Sequence, residues 1–257
     1  MKIELQPNKK IYFASDQHFG APTPELSKPR EAKFLAWLDE IKHDAQILFL
    51  MGDLFDFWHE WKYVVPKGYV RILGKLAELK DSGIDIYFFV GNHDLWMKDY
   101  LEEEIGIPVF FEKQYYEISG KNFLLAHGDG LGPGDKGYKR MKKLFTNPIA
   151  QWFFKWLHPD IAMKIAVYFS TKNKMISGVE DMKFLGEDKE FLILYSKEKL
   201  KSEKIDYFVY GHRHLPMILD LKIDENAAKY INLGDWISYF TYGVFDGEEF
   251  KIEEYKQ

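Results

Sequence analysis

Five short polar stretches carry the residue types that do metal chemistry: Asp16-Gln17-His18, Gly52-Asp53, Gly91-Asn92-His93-Asp94, His127-Gly128-Asp129 and Gly211-His212-Arg213-His214. An Asp and a His two residues apart in a loop can face one cation. A carboxylate such as Asp53 can bridge two cations, and Asn92 offers a neutral carbonyl oxygen. Mixed imidazole, amide and carboxylate donors suit Mn, Fe, Zn or Co better than calcium. Two such cations ~3.5–4 Å apart grip a phosphoryl group and generate a hydroxide nucleophile at neutral pH. The chain has no cysteine, so a thiolate site or a disulfide framework is excluded. Taken singly, an Asp-x-His is an ordinary surface turn and a Gly-Asp an ordinary helix cap. Their weight comes from the full set, each member following a strand-like run. His43 and His158 lie on helical stretches and read as plain polar residues.

The elements that must position these groups follow from hydrophobic periodicity. Residues 10–15, 46–51 and 84–90 are short apolar runs ending at the first three motifs. Continuous apolar character marks strands buried on both faces. Between them, 31–43 repeats apolar residues at helical spacing (Phe34, Leu35, Leu38, Ile41) and 68–82 does so before Gly83, a C-terminal cap. The order β–α–β–α–β implies a parallel sheet with right-handed crossovers. In such sheets ligand groups gather at the carboxyl ends of the strands, so motifs far apart in sequence can converge. From about residue 107 the strands come faster, as in hairpins: PVFF, QYYEIS and NFLLAHG. Later strands are expected at 205–211 and 229–234, with a closing hairpin through Asp246-Gly247. Residues 135–146 are rich in lysine, and 147–170 reads as two helices broken at His158-Pro159-Asp160, with Pro159 in a first turn.

Composition narrows the class. A chain of 257 residues suits one large α/β domain, here taken as 1–257 with a helical cap insertion at 136–185. The formal net charge of -5 argues against a nucleic-acid binder. The N-terminus has no apolar secretory core, and no stretch reaches the ~18 apolar residues of a spanning helix. With no cysteine, these features fit the cytoplasm. They leave the oligomeric state open.

The ordered set D-x-H, G-D, G-N-H-D, H-G-D, G-H-x-H resembles the calcineurin-like metallophosphoesterase family from about residue 10 to 236. The resemblance implies a four-layer α/β/β/α sandwich and two divalent metal ions, Mn²⁺ first among Mn, Fe and Zn. Asp16, His18, Asp53 and His214 would hold one ion, and Asp53, Asn92, His127 and His212 the other. His93 would protonate the leaving oxygen or steady the charged transition state, and Asp94 would orient His93.

Further details resemble one branch of that family, the UDP-2,3-diacylglucosamine pyrophosphatases of lipid A biosynthesis. These are the run Gly52-Asp53-Leu54-Phe55-Asp56-Phe57-Trp58, the stretch from His127 to Lys142, Gly234-Asp235-Trp236, and the helical insertion before the last metal motif. The branch implies hydrolysis of UDP-2,3-diacylglucosamine at the α-phosphorus, with UMP and 2,3-diacylglucosamine 1-phosphate as products, at the inner face of a membrane. Substrate contacts would come from Asp135, Tyr138, Lys139 and Lys142, and from Lys172 and Lys174 past the second cap helix. Trp152, Phe153, Trp156, Phe169, Ile149, Ile161 and Ile165 exceed what two short helices bury, and would receive acyl chains. The basic cluster 136–143 would meet a diphosphate or an anionic membrane surface, at about 1 kcal/mol per cation. The chain departs from the branch in two places: it carries His93 where well-studied members have Arg, and Gly132-Pro133-Gly134-Asp135 where they have Cys-Thr-Asp-Asp. His93 is the residue of ordinary phosphodiesterases and phosphatases in the family. Action on a soluble nucleotide or another phosphoester is therefore the alternative expectation.

Overall fold

The structure is a computed structural model that describes residues 1–133, 136–177 and 183–256; the side chains at 136, 137 and 169–177 fall outside that description. Two six-stranded sheets stack face to face. The first contains β2 (Lys10–Ala14), β3 (Ala45–Leu50), β4 (Asp85–Phe89) and β5 (Val109–Phe110), all parallel, and is extended past β2 by the closing antiparallel hairpin of β11 (Thr241–Phe245) and β12 (Phe250–Glu254). The second runs β1 (Lys2–Ile3), β6 (Gln114–Ile118), β7 (Lys121–Ala126), β8 (Tyr207–Tyr210), β10 (Asn226–Asn232), β9 (Met217–Ile223).

Side-chain alternation builds three cores. In β2 and β3, Ile11, Phe13, Ile47 and Phe49 point inward and meet Phe123, Leu125, Tyr207 and Val209 of the second sheet. Their neighbours Tyr12, Leu48 and Leu50 point outward. There they pack beneath α1 (Pro24–Ile41) and α2 (Val70–Asp81), through Phe34, Trp37, Leu38, Ile72 and Leu76. On the far side, Leu124, Phe208 and Tyr230 are covered by Leu192, Ile193 and Leu200 of α7 (Phe191–Leu200). The layer order is therefore α/β/β/α, the arrangement that alternating strands and amphipathic helices favour.

Several elements differ from their expected bounds. Helix α1 begins at Pro24, because the Thr23 hydroxyl accepts from the Leu26 N–H at 3.3 Å and Pro24 occupies the first turn, ahead of Pro29 within the helix. The β6–β7 turn places Ser119 and Gly120 at φ of 48° and 77°, which gives the tight twist of a two-residue hairpin. Three strands or helices have no counterpart in the sequence expectations besides β1: α3 (Tyr100–Ile105), α7 and β9. Helix α3 lacks a local side-chain cap. Buried Glu60 replaces it from a distance, accepting from the N–H groups of Lys98, Asp99 and Tyr100 at 2.9, 3.2 and 3.3 Å. Between β7 and α7 lie α4 (Lys136–Phe145), α5 (Pro148–Lys155) and α6 (Pro159–Ser177). Asn147 caps α5 by accepting from Ile149 N–H at 2.8 Å.

Candidate metal centre

Each of the five motifs begins where a strand stops, and the strands belong to both sheets: β2, β3 and β4 of one, β7 and β8 of the other. Backbone hydrogen bonds stitch the loops together. Asp16 N–H donates to the Gly52 carbonyl at 3.1 Å, His18 N–H to the Asp53 carbonyl at 2.8 Å, and Gly211 N–H to the His127 carbonyl at 2.9 Å. The chain must turn sharply to aim these side chains inward. Asp16, His18, Asp53, His212 and His214 all sit in the left-handed region, with φ of 59°, 46°, 55°, 68° and 52°. Such conformations cost of order 1–3 kcal/mol each outside glycine. Glycine is required beside them for space: a Cβ on Gly52 would fall 2.5 Å from His127 Nδ1, and one on Gly91 would overlap the Asp53 carboxylate.

The seven side chains singled out by type meet in two groups that share Asp53. In the first, Asp16 Oδ1 lies 3.3 Å from His214 Nε2 and 3.7 Å from His18 Nε2. The two ring nitrogens approach each other at 3.4 Å. In the second, Asn92 Oδ1 lies 3.1 Å from His127 Nε2 and 2.8 Å from His212 Nδ1. Asp53 Oδ2 sits between the groups, 3.6 Å from His18 Nε2 and 3.4 Å from His127 Nε2. Asp16, Asp53, His18 and His127 are all buried.

The donor set fits divalent cations. Asp16 Oδ1 is buried and has no hydrogen-bond partner among the described residues, although it faces two imidazole nitrogens. A buried acceptor in that position costs free energy unless a charge meets it. Electrostatics point the same way. Burial works against charge on Asp16 and Asp53, yet imidazoles hold both carboxyls well below their ordinary range: His214 and His18 for Asp16, His127 and His93 for Asp53. Burial would push His127 down, but Asp53, Asp16 and Asp129 outweigh it and raise the ring to about 10. Burial and the neighbouring His127 take His212 down to about 4. Protons on imidazole here stand in for missing positive charge, the role a cation fills.

The surrounding groups fix the ligands. Ser15 Oγ donates to Asp16 Oδ2 at 2.6 Å, and His212 N–H donates to the same oxygen at 2.9 Å. His127 Nδ1 is 2.8 Å from the Met51 carbonyl. His214 Nδ1 is 3.1 Å from Asp235 Oδ2. Orienting contacts of this kind set the tautomer and the aim of a ligating imidazole.

His93 lies at the edge of the first group, its ring 4.6 Å from that of His18. Asp94, expected to orient it, turns both carboxylate oxygens to backbone groups. The two oxygens of Asp94 accept from Gly91 N–H at 2.6 Å and Leu54 N–H at 3.0 Å, stapling one ligand loop to another. Burial and the nearby Asp53 raise the Asp94 carboxyl to about 7. The partner of His93 is Asp56, whose carbonyl is 3.0 Å and whose Oδ1 is 3.4 Å from His93 Nδ1. The same Oδ1 is 3.6 Å from His18 Nδ1. Asp56, Asp235 and Ser15 belong to the site without having been assigned roles from sequence. Asp56 lies three residues past Asp53, and that spacing was the available signal.

The expected substrate residues divide. Tyr138 Oη and Lys142 Nζ donate to Asp129 Oδ2 at 2.5 and 2.6 Å, beside ligand-loop residue His127. Lys139 Nζ donates to the Gly132 carbonyl at 2.6 Å. Asp135 and the side chains of Lys172 and Lys174 lie outside the described residues. Arg213, between the last two histidines, turns away to a buried pair with Glu190: Nε to Oε2 and Nη2 to Oε1, both 3.0 Å.

Comparison with known proteins matches this arrangement to a family. The UDP-2,3-diacylglucosamine hydrolase of Porphyromonas gingivalis is 40% identical, covering 95% of this chain and 97% of its own length. The enzyme of the same name from Edwardsiella ictaluri is 27% identical over 87% of this chain and 83% of its own. That of Yersinia pestis is 25% identical over 87% and 90%. A family model for calcineurin-like phosphoesterases matches residues 9–216, a span that holds every one of the converging motifs, and the chain belongs to that family of hydrolases.

Proposed function

We propose that this protein hydrolyses UDP-2,3-diacylglucosamine to UMP and 2,3-diacylglucosamine 1-phosphate with the help of two divalent ions, manganese in the first place. The observation that carries the reading is the 40% identity to a hydrolase of that name, spread over nearly the whole of both chains. Asp16, His18, Asp53 and His214 would hold one ion, and Asp53, Asn92, His127 and His212 the other. When bound, the pair supplies Lewis-acid polarisation of a phosphoryl oxygen and acidifies a water for attack. The protein's own residues then act on the substrate. A new P–O bond forms at the α-phosphorus, the bond to the bridging oxygen breaks, and the sugar 1-phosphate leaves. His93, beside Asp56 at the edge of the first group, would stabilise the charge on that leaving oxygen or deliver a proton.

The helical segment 136–185 serves in this reading as a cap for the acyl chains. Ile149, Trp152, Phe153, Trp156 and Ile161 are 52–74% exposed on α5 and α6, an apolar surface that the chain itself does not cover. No helix among the described residues is long and apolar enough to cross a membrane. Contact with the lipid surface would then be peripheral, from the cytoplasmic side, through this face.

The test is UMP release from UDP-2,3-diacylglucosamine in detergent with Mn²⁺, beside a panel of simple phosphodiesters and cyclic nucleotides. Release of UMP with little turnover of the panel is the expected result. Rapid turnover of the panel with no UMP release would move the assignment to a phosphodiesterase or phosphatase of soluble substrates, the reading that His93 favours.

A further inference from the structure

A cavity of about 450 Å³ opens beside the second ligand group, where the ends of β4, β5 and β7 leave a gap between the two sheets under α4. Its size falls in the range of small-ligand sites, ~300–1,000 Å³. His127 is part of its wall, so the cavity adjoins the candidate metal centre. The wall carries four ammonium groups, Lys113, Lys139, Lys142 and Lys143, against two carboxylates, Glu112 and Asp129. Lys142 is spent on Asp129 and Lys139 on the Gly132 carbonyl. Lys113 and Lys143 make no hydrogen bond or ion pair among the described residues. Both therefore line a concave space beside a phosphoesterase centre, Lys143 with no acidic partner among the described residues and Lys113 with its charge also felt by Glu203. A concave cationic wall attracts and retains anions.

The rim adds a second chemical element. Phe110 and Phe111 both line the cavity. Phe110 is engaged inward, its ring 5.3 Å from Phe89 and 6.1 Å from Tyr87. Phe111 is 53% exposed and makes no ring contact among the described residues. An open aromatic face next to ammonium groups suits a ligand with a flat base at one end and a phosphate at the other. The acyl chains of the proposed substrate do not suit this wall, since burying them here would strip water from four lysines. They have the apolar surface of α5 and α6 instead. Helix α5 is anchored through Phe154 to Trp96, His59 and Phe57, none of which lines the cavity.

We infer that this cavity is the nucleotide subsite: it takes a pyrimidine nucleoside monophosphate, with the base on Phe111, the phosphate charge met by Lys113 and Lys143, and the phosphorus directed to His127. The inference rests on the proposed reaction for the identity of the nucleotide, but its residues are open to direct test. Calorimetry of the Mn²⁺-loaded protein would compare UMP with ribose 5-phosphate, which keeps the sugar and phosphate and lacks the base. Phe111→Ala should weaken UMP about 10-fold, the scale of one base–aromatic stack, and ribose 5-phosphate less than 2-fold. The double variant Lys113→Ala/Lys143→Ala should weaken both ligands about 10-fold. UMP binding at wild-type strength in both variants overturns the subsite. UMP release from the lipid-linked substrate is scored separately. If the wild type binds UMP through these residues but releases none from that substrate, the subsite stands and the proposed reaction falls.

Discussion

Removing Arg213 tests how firmly the last ligand loop must be held. Its guanidinium and the Glu190 carboxylate are 7% and 3% exposed and share two hydrogen bonds of 3.0 Å. A third, also 3.0 Å, goes to the Lys183 carbonyl. Arg213→Met leaves Glu190 as a buried charge whose remaining hydrogen bond among the described residues is to the Leu185 N–H at 3.1 Å. Breaking one side of such a pair costs about 3–5 kcal/mol, whereas replacing both sides with apolar groups is far cheaper. In a protein of this size 1 kcal/mol moves Tm by about 2–4 °C, so each single variant, Arg213→Met or Glu190→Leu, should melt roughly 10 °C lower. The double variant should recover most of that loss, giving a coupling energy of about 3 kcal/mol. Thermal melts and urea titrations followed by circular dichroism measure all four corners of the cycle. Arg213 also stands between His212 and His214, so the single variant should bind Mn²⁺ about 10-fold more weakly. Additive losses, with no recovery in the double variant, would refute the argument.

Asp56→Ala removes the carboxylate that faces both His18 and His93, and metal affinity or turnover should fall about 10–100-fold, read by Mn²⁺ titration and steady-state kinetics. Chelation with EDTA should abolish hydrolysis, and added Mn²⁺ should restore it. His59 gives a pH signature. Its ring is wholly buried against Trp61, Trp96 and Phe154, and burial followed by Lys98 and Lys155 lowers its pKa from 6.5 to about 4. The unfolded chain therefore takes up a proton that the folded chain refuses. The contribution is intact above pH 6.5 and is lost as pH falls toward 4, by about 3 kcal/mol in all. Urea stability of His59→Phe relative to wild type should rise by that amount between pH 7.5 and 4, and an unchanged difference would count against it.

The fold was readable where the pattern was local. The run QILFLM is buried on both faces past its half-buried Gln46, so continuous apolar sequence and position agree, whereas IDIYFFV is continuously buried only at its end, with Asp85 exposed and Tyr87 half-buried. Site chemistry was readable for the same reason, since a ligand must follow a strand end and residue type shows at that spot. What stayed hidden depends on distant partners. Nothing in PVFF or NFLLAHG tells that β5 and β7 join different sheets. Helix α3 takes its cap from Glu60, about forty residues earlier, so its start carries no local signal. Asp94 beside His93 suggests a pair, but in the folded loops the Asp94 oxygens meet Gly91 and Leu54, and Asp56 lies against the His93 ring.

The left-handed backbone at five of the seven converging residues makes the catalytic centre a spring held shut by the rest of the molecule. At 1–3 kcal/mol each, the load is comparable to the whole stability margin of an ordinary domain. Evolution toward sturdier variants is therefore pulled against activity here. Glycine at any of these five positions would relax the chain and strengthen the fold while emptying the centre of a donor. The sandwich beneath must carry that load permanently, which gives its aromatic interior a purpose beyond keeping water out.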